Sequence, residues 1–126
     1  MRLGLIVKEP YASLIVKGLK VWEIRKRRTN VRGKIYIISQ GRVIGQVEIV
    51  DVLGPFTVEE LVEHEEKHRV GYEELLRYAR DSKLFAWVLD KPIEFEKPLK
   101  VVLPRGAQVW VRLKDLGKVD KSEQSE

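Results

Sequence analysis

Short apolar stretches, bounded by Gly, Pro and charged residues, recur along most of this chain. Their alternation predicts strands at residues 2–8, 21–25, 34–39, 43–53, 84–89, 93–95, 99–103 and 108–113. Apolar positions three and four residues apart predict helices after residue 10, after residue 57 and at residues 72–80. Strands this short, with Pro92 and Pro98 as breaks, favour a closed or nearly closed antiparallel β-barrel. We therefore expect an α+β domain with two or three short helices packed around the barrel.

Turn-forming residues predict where several of these elements begin and end. Pro10 suits the first position of a helix, where its missing amide hydrogen does no harm, and Gly18 can end that helix in the left-handed conformation. Gly45, inside strand 43–53, indicates a bulge or a close approach of backbone, and Gly54-Pro55 is expected to end the strand. The capping box at residues 57–60 predicts the start of a helix.

The stretch from Gly18 to Arg25 combines a helix stop with several charged residues. In strand 21–25, alternation places Trp22 and Ile24 on one face and Glu23 and Arg25 on the other. Glu23 and Arg25 are therefore expected to be neighbours, with Lys20 just before them and a basic run, residues 26–28, just after.

Composition narrows the class of protein. The chain has 126 residues and no cysteine, which excludes disulfides, thiolate metal sites and a cysteine nucleophile. No apolar run is long enough to span a bilayer, and the start of the chain lacks the core of a signal peptide. We expect a single cytoplasmic domain over residues 1–113, followed by a polar, flexible tail over residues 114–126.

Charge is unevenly distributed along the chain. Residues 17–34 contain eight basic residues and one acidic residue, whereas residues 57–80 contain seven glutamates and four basic residues. Such asymmetry indicates an anionic partner for the first region. A basic face that is merely solvated is the alternative.

Two histidines raise the possibility of a metal site. His64 and His68 are four residues apart and enclose Glu65-Glu66-Lys67, the spacing of a zinc-binding His-Glu-x-x-His helix. Residues 63–69 include no apolar residue that would hold such a helix against a core, and no third ligand can be singled out. We therefore expect a solvated helix end here, and no metal or cofactor.

Three interpretations remain for the cluster of Lys20, Glu23 and Arg25. The first is recognition of nucleic acid, with arginines on phosphates and Tyr11 or Trp22 stacking on a base. The second is catalysis by a lysine whose protonation is tuned by a nearby carboxylate. The third is a structural Glu23–Arg25 ion pair that closes the barrel mouth. Two further tryptophans, at positions 87 and 110, are expected in the core.

These same residues carry a family resemblance. Residues 10–16 (PYASLIV), Gly18-x-Lys20-x-x-Glu23-x-Arg25 and Arg32-Gly33-x-Ile35 resemble the ASCH domain family of the PUA-like superfamily, whose signature is Gly-x-Lys-x-x-Glu-x-Arg. The resemblance extends over about residues 3–113. It implies a PUA-like β-barrel with a cleft beside the first helix, lined by the signature residues, and a link to RNA or DNA.

The resemblance also implies an alternative activity. Some small bacterial relatives look like amidohydrolases acting on acetylated cytidine, and others have been proposed as ribonucleases. In the amidohydrolases the motif lysine, corresponding to Lys20, is catalytic, but a threonine stands where this chain has Glu23, so their mechanism does not transfer whole. Their catalytic glutamate lies in the helical insertion, where Glu65, Glu66 and His68 are the candidates here.

We predict a nucleic-acid-binding domain with RNA as the favoured partner, little sequence specificity and no membrane association. The alternative is a small hydrolase, an amidohydrolase or a ribonuclease, with Lys20 and Glu23 as catalytic residues. A module that binds another protein through its acidic helices is a third class, and the oligomeric state is left open. The predicted nucleic-acid contacts are Tyr11, Ser13, Lys20, Trp22, Glu23, Arg25, Arg27, Arg28 and Arg32.

Overall fold

The computed structural model describes residues 2–113, so the predicted tail at residues 114–126 lies outside the described residues. Over that range the chain forms six strands and four short helices. The strands are β1 (Arg2–Ile6), β2 (Trp22–Arg25), β3 (Gly33–Ser39), β4 (Arg42–Phe56), β5 (Leu84–Lys100) and β6 (Trp110–Leu113). The helices are α1 (Tyr11–Val16), α2 (Val58–Val62), α3 (Glu65–His68) and α4 (Tyr72–Ala79). None of these helices is long and apolar enough to cross a membrane.

The strands form one sheet in the order β2-β5-β4-β3-β1-β6. All neighbours are antiparallel except β1 and β3, which run parallel. The strands β2 and β6 end the order and are not paired with each other. The expected α+β fold of barrel type is therefore confirmed, as a sheet that does not close.

Apolar side chains fill both faces of this sheet. One cluster packs the inner face against α1, and β3 contributes Ile35 and Ile37 to it. The alternate residues Tyr36 and Ile38 belong to a second cluster on the other face. A third cluster joins β2 to α2 and α4. The tryptophans expected in the core belong to the first cluster, with position 87 buried and position 110 half-buried.

The two longest strands continue through residues that were expected to end them. β4 passes Gly54-Pro55, and β5 passes Pro92 and Pro98. Each proline lies where the register between β4 and β5 shifts, so its missing amide hydrogen does not interrupt a regular ladder. The predicted strand breaks are therefore wrong, because the prolines lie in β-bulges where no regular ladder hydrogen bond is needed.

Glycines place α1 closely against the sheet. Gly18 has a φ of +79° and ends the helix region, as predicted. Pro10 lies one position earlier than expected, at the N-cap. A Cβ on Gly45 would lie 2.6 Å from Val16 Cγ1 and closer still to the carbonyl oxygen of Ile93. The predicted close approach at Gly45 is confirmed, and it brings α1 directly onto β4.

The segment between β4 and β5 holds the acidic helices. The capping box of Thr57 and Glu60 is present and starts α2. Within α4, Leu75 and Ala79 are buried, whereas Leu76 is 37% exposed. The one-turn helix α3 was not predicted, because its sequence carries no apolar stripe.

Candidate nucleic-acid interface

A cavity of about 320 Å³ opens between β1, β2, α1 and α4. It lies where β2, at one end of the sheet order, approaches β1, the strand next to the other end, without pairing with it. Its lining residues are Ile6, Val7, Lys8, Tyr11, Lys20, Glu23, Ile24, Arg25, Val70, Glu74, Leu75, Tyr78 and Gln108. Of the nine predicted contact residues, the cavity therefore gathers Tyr11, Lys20, Glu23 and Arg25.

Lys20 is a buried cation in the wall of this cavity. Its side chain is 1% exposed, and Nζ donates a hydrogen bond to the carbonyl oxygen of His68. The same nitrogen lies 3.6 Å from Glu23 Oε1 and 5.0 Å from the centre of the Tyr11 ring. Burial lowers the pKa of Lys20, although the charge of Glu23 opposes the shift.

Glu23 and Arg25 form the ion pair that the strand pattern predicts. Arg25 donates to Glu23 Oε2 through both Nε, at 2.8 Å, and Nη2, at 2.7 Å. Nη2 also donates to the carbonyl oxygen of Ile6 at 3.0 Å, and the guanidinium lies 5.6 Å from the Trp87 ring centre. Because Ile6 is in β1 and Arg25 in β2, this side chain connects the two sides of the unclosed sheet.

A second polar group, formed by Lys8, Tyr11 and Glu74, lines the cavity from the segment before α1, from α1 and from α4. Lys8 and Glu74 form an ion pair at 2.7 Å, and Tyr11 shares Glu74 as a hydrogen-bond partner. Burial and this hydrogen bond raise the pKa of Tyr11 to about 12. Hydrogen bonds from Lys8 and Tyr11 lower the pKa of Glu74. At neutral pH the phenol therefore keeps its proton, and Glu74 is ionised.

The basic segment between β2 and β3 begins at the edge of the cavity. Lys26 Nζ lies 5.3 Å from the ring centre of Tyr78, which lines the cavity, and the Lys26 amide bonds the Tyr78 hydroxyl. Burial raises the pKa of Tyr78. Arg27, Arg28 and Arg32 are exposed and do not line the cavity.

The arginines of this segment differ in how firmly the protein holds them. Arg28 donates to the carbonyl oxygen of Gly54 at 3.1 Å and lies over the Phe85 ring. Arg32 donates to the carbonyl oxygens of Thr29 and Val31, both at 2.9 Å. Within residues 2–113, the side chain of Arg27 has no such partner.

Two predicted contact residues lie elsewhere. Trp22 is 6% exposed in the core under the acidic helices, and its ring contacts the rings of Phe56 and His64. Ser13 donates to Glu9 through its amide, at 3.0 Å, and through its hydroxyl, at 2.9 Å. Trp22 therefore offers no free face to a base, because alternation turns it away from Glu23, and Ser13 fixes the start of α1.

The histidines do not behave as the sequence suggested. His68 is fully buried, not solvated: its Nδ1 accepts from the amide of Val70 at 2.9 Å, so Nε2 carries the proton that binds the Leu61 carbonyl at 2.7 Å. His64 packs its ring on Trp22 at 5.1 Å. No cluster of three or more metal-ligating side chains occurs among residues 2–113.

Four polar residues of the cavity were missed by sequence reasoning: Lys8, Glu74, Tyr78 and Gln108. In the helical insertion it is Glu74 that reaches the cavity, whereas Glu65 and Glu66 are exposed outside it. The spacing of Glu74 and Tyr78, four residues apart on α4, would have placed them on one face. For Gln108 the sequence carries no signal.

Comparison with known proteins agrees with this geometry. Residues 5–99 match the ASCH domain. This chain belongs to the ASCH domain family. Among curated protein sequences, none is similar enough to count as a relative.

Solved structures share the ASCH fold with this chain. The ASCH protein from Zymomonas mobilis superposes with a TM-score of 0.78 at 14% identity, over 96% of this chain and 93% of that one. Its serine-to-alanine variant gives 0.77 at 16% identity, over 98% and 95%. Its tyrosine-to-phenylalanine variant gives 0.76 at 16% identity, over 96% of each. At these identities the likeness concerns the fold alone.

Proposed function

We propose that this ASCH domain binds single-stranded nucleic acid, with RNA as its partner, and takes one base into the cavity. The proposal rests on one observation: the cavity and the exposed basic segment between β2 and β3 adjoin each other. The buried Lys20 and Glu23 form a polar wall of the cavity, and the exposed basic segment starts at its edge with Lys26. One strand of RNA can therefore place a base inside and its phosphates outside.

The size of the cavity is suitable for one nucleic-acid base. About 320 Å³ is at the small end of the range for ligand pockets, which suits a base or a nucleoside and not a duplex. Bases reach such pockets from single-stranded segments, where little stacking has to be broken.

The chemistry of the wall suits a neutral, polar heterocycle. Glu23 presents a carboxylate held in place by Arg25, and Lys20 presents an ammonium held by His68. The Tyr11 hydroxyl stays protonated at neutral pH because its pKa is raised to about 12. Donors and acceptors of this kind can form hydrogen bonds with the edges of bases.

The basic segment supplies the contact with the backbone. Arg27 is exposed and has no partner among residues 2–113, so its guanidinium is available to a phosphate. Lys26 and Arg28 flank it. Contacts of this type depend on salt and carry no sequence information, which agrees with the low specificity expected from the sequence.

The test is the binding of single-stranded RNA at two salt concentrations by three proteins. These are the wild type, the double variant Arg27→Glu/Arg28→Glu, and a matched charge-reversal control, Lys97→Glu/Lys100→Glu, at exposed positions of β5 outside the cavity. We expect the first variant to lose affinity, and its salt slope to fall by about 0.7 per lost phosphate contact. Unchanged affinity and slope would remove the basic segment from the interface.

A small hydrolase acting on a modified nucleoside is the second candidate. It is favoured by one observation: Lys20, with its lowered pKa, lies 3.6 Å from Glu23 in the wall of the cavity, and Glu74 lines the same cavity from the insertion. Nucleoside products analysed from the same binding reactions distinguish the two functions. Product release that Lys20→Ala abolishes would make the protein an enzyme, whereas salt-sensitive binding without product supports the binding function.

A further inference from the structure

Gln108 occupies a fixed position at the mouth of the cavity. It lies in the segment between β5 and β6, where its side chain is exposed and lines the cavity. The next residue anchors the backbone, because the Val109 carbonyl accepts from the amide of Ile6 at 2.9 Å. Trp110 then stacks on Trp87 with 5.8 Å between ring centres. An exposed side chain on an anchored backbone is therefore held beside the opening.

Gln108 differs from the other polar side chains of the cavity in having no partner. The lysines, tyrosines and Arg25 each contact another protein group, and the two glutamates are held by them. Within residues 2–113, no hydrogen bond engages the amide of Gln108. Its donor and its acceptor are both available to a ligand.

A primary amide matches the edges of bases in a particular way. It presents one acceptor and one donor side by side, and rotation about its terminal bond exchanges their order. Each base offers an adjacent donor and acceptor: the amino group and ring nitrogen of adenine and cytosine, and the carbonyl and ring N–H of guanine and uracil. One glutamine can therefore pair with any of the four bases.

We propose that Gln108 reads the edge of the base that enters the cavity, and that its amide allows the site to accept any of the four bases. The inference rests on the proposed function and names the residue that sets its specificity. A carboxylate at this position has only acceptors, and guanine alone offers two adjacent donors, its ring N–H and its amino group. Gln108→Glu should therefore convert a general site into one that prefers guanine.

The experiment measures the affinity of uridine-tract RNA oligonucleotides that carry one central A, C, G or U. We expect the wild type to bind all four with similar affinity, and Gln108→Glu to favour the guanine oligonucleotide on the order of tenfold. Gln40→Glu, in the exposed turn between β3 and β4, carries the same charge change outside the cavity and should show no such preference. Gln108→Met, which removes both donor and acceptor, should weaken binding to all four alike.

The results of this experiment test the role of Gln108 separately from the proposed binding of RNA. If Gln108→Glu and Gln108→Met keep the wild-type affinities for all four oligonucleotides, Gln108 is not the reading residue, although binding that needs Arg27 and Arg28 still stands. If the wild type binds none of the oligonucleotides, the proposed function fails, and the inference fails with it. Thermal unfolding of each variant ensures that the affinities come from folded protein.

Discussion

Lys20 and Glu23 form an ion pair inside the protein, with 3.6 Å between Nζ and Oε1 and side-chain exposures of 1% and 8%. Removing two charges from water is costly unless further hydrogen bonds satisfy them. Here the carbonyl oxygen of His68 accepts from the lysine, and Arg25 donates to the glutamate. The pair therefore depends on four residues from β2, its preceding turn and α3.

Glu23→Gln should destabilise the fold strongly. The variant leaves the buried ammonium of Lys20 without its anionic neighbour, and Arg25 loses the carboxylate that balances its charge. Breaking a buried pair on one side costs about 3–5 kcal/mol. Urea unfolding monitored by tryptophan fluorescence measures the loss.

A surface pair provides the matched control for this prediction. Glu48 faces Lys91 at 4.0 Å with side chains that are 35% and 70% exposed, so Glu48→Gln should cost less than about 1 kcal/mol. Equal losses in Glu23→Gln and Glu48→Gln would mean that burial adds nothing to the Lys20–Glu23 pair.

His68 should make the stability of the domain sensitive to mild acid. Burial lowers its pKa, as does the charge of Lys20, while the bond to the Leu61 carbonyl and the charge of Glu65 oppose the shift. The unfolded chain therefore takes up a proton first, near the ordinary pKa of about 6.5. Stability is complete above that pH and falls as the pH decreases toward the folded pKa.

The other histidine serves as the control. We expect the free energy of unfolding to fall as the pH decreases below about 6.5, in total by about 1.4 kcal/mol for each unit by which the folded pKa of His68 is lowered. His68→Gln should lose this part of the pH dependence, whereas His64→Gln should keep it. A wild-type pH profile that His68→Gln leaves unaltered would refute the prediction.

Local patterns were sufficient to predict much of the fold. The left-handed Gly18, the capping box at Thr57 and the pairing of Glu23 with Arg25 all follow from interactions within a few residues. The continuation of β5 through Pro92 and Pro98 does not, because the bulges that admit prolines depend on how β4 lies beside it. The spacing of residues within one strand does not determine its register with a strand that is distant in sequence.

The part of the site that could be predicted comes from one short sequence motif. Lys20, Glu23 and Arg25 come from that motif and meet in the cavity. Glu74 and Gln108 reach the same cavity from distant parts of the chain, so only the folded topology brings them in. Burial of His68 escaped prediction because hydrogen bonds to the Leu61 carbonyl and the Val70 amide, not apolar neighbours in sequence, hold its ring.

Gly45→Ala should destabilise the domain because α1 has no room to move away from β4. The added methyl would overlap Val16 and the backbone of Ile93, and overpacking of this kind costs about 1–3 kcal/mol or more. Gly71→Ala is the control, since no atom lies within 4 Å of the site of its Cβ, and we expect it to cost less than about 1 kcal/mol. Urea unfolding of both variants checks the difference; equal costs would contradict the close packing at Gly45.

Trp22→Phe should lower stability and leave nucleic-acid affinity unchanged. The indole is buried against Phe56 and His64, so the smaller ring loses packing without altering a surface that RNA can reach. Tyr11→Phe removes a hydroxyl that faces the cavity and should weaken binding several-fold, as expected for one hydrogen bond. Fluorescence anisotropy of labelled single-stranded RNA, at a temperature where both variants are folded, makes the comparison. The prediction is contradicted if Trp22→Phe loses more affinity than Tyr11→Phe. RNA binding would then depend more on the core beneath the acidic helices than on the wall of the cavity.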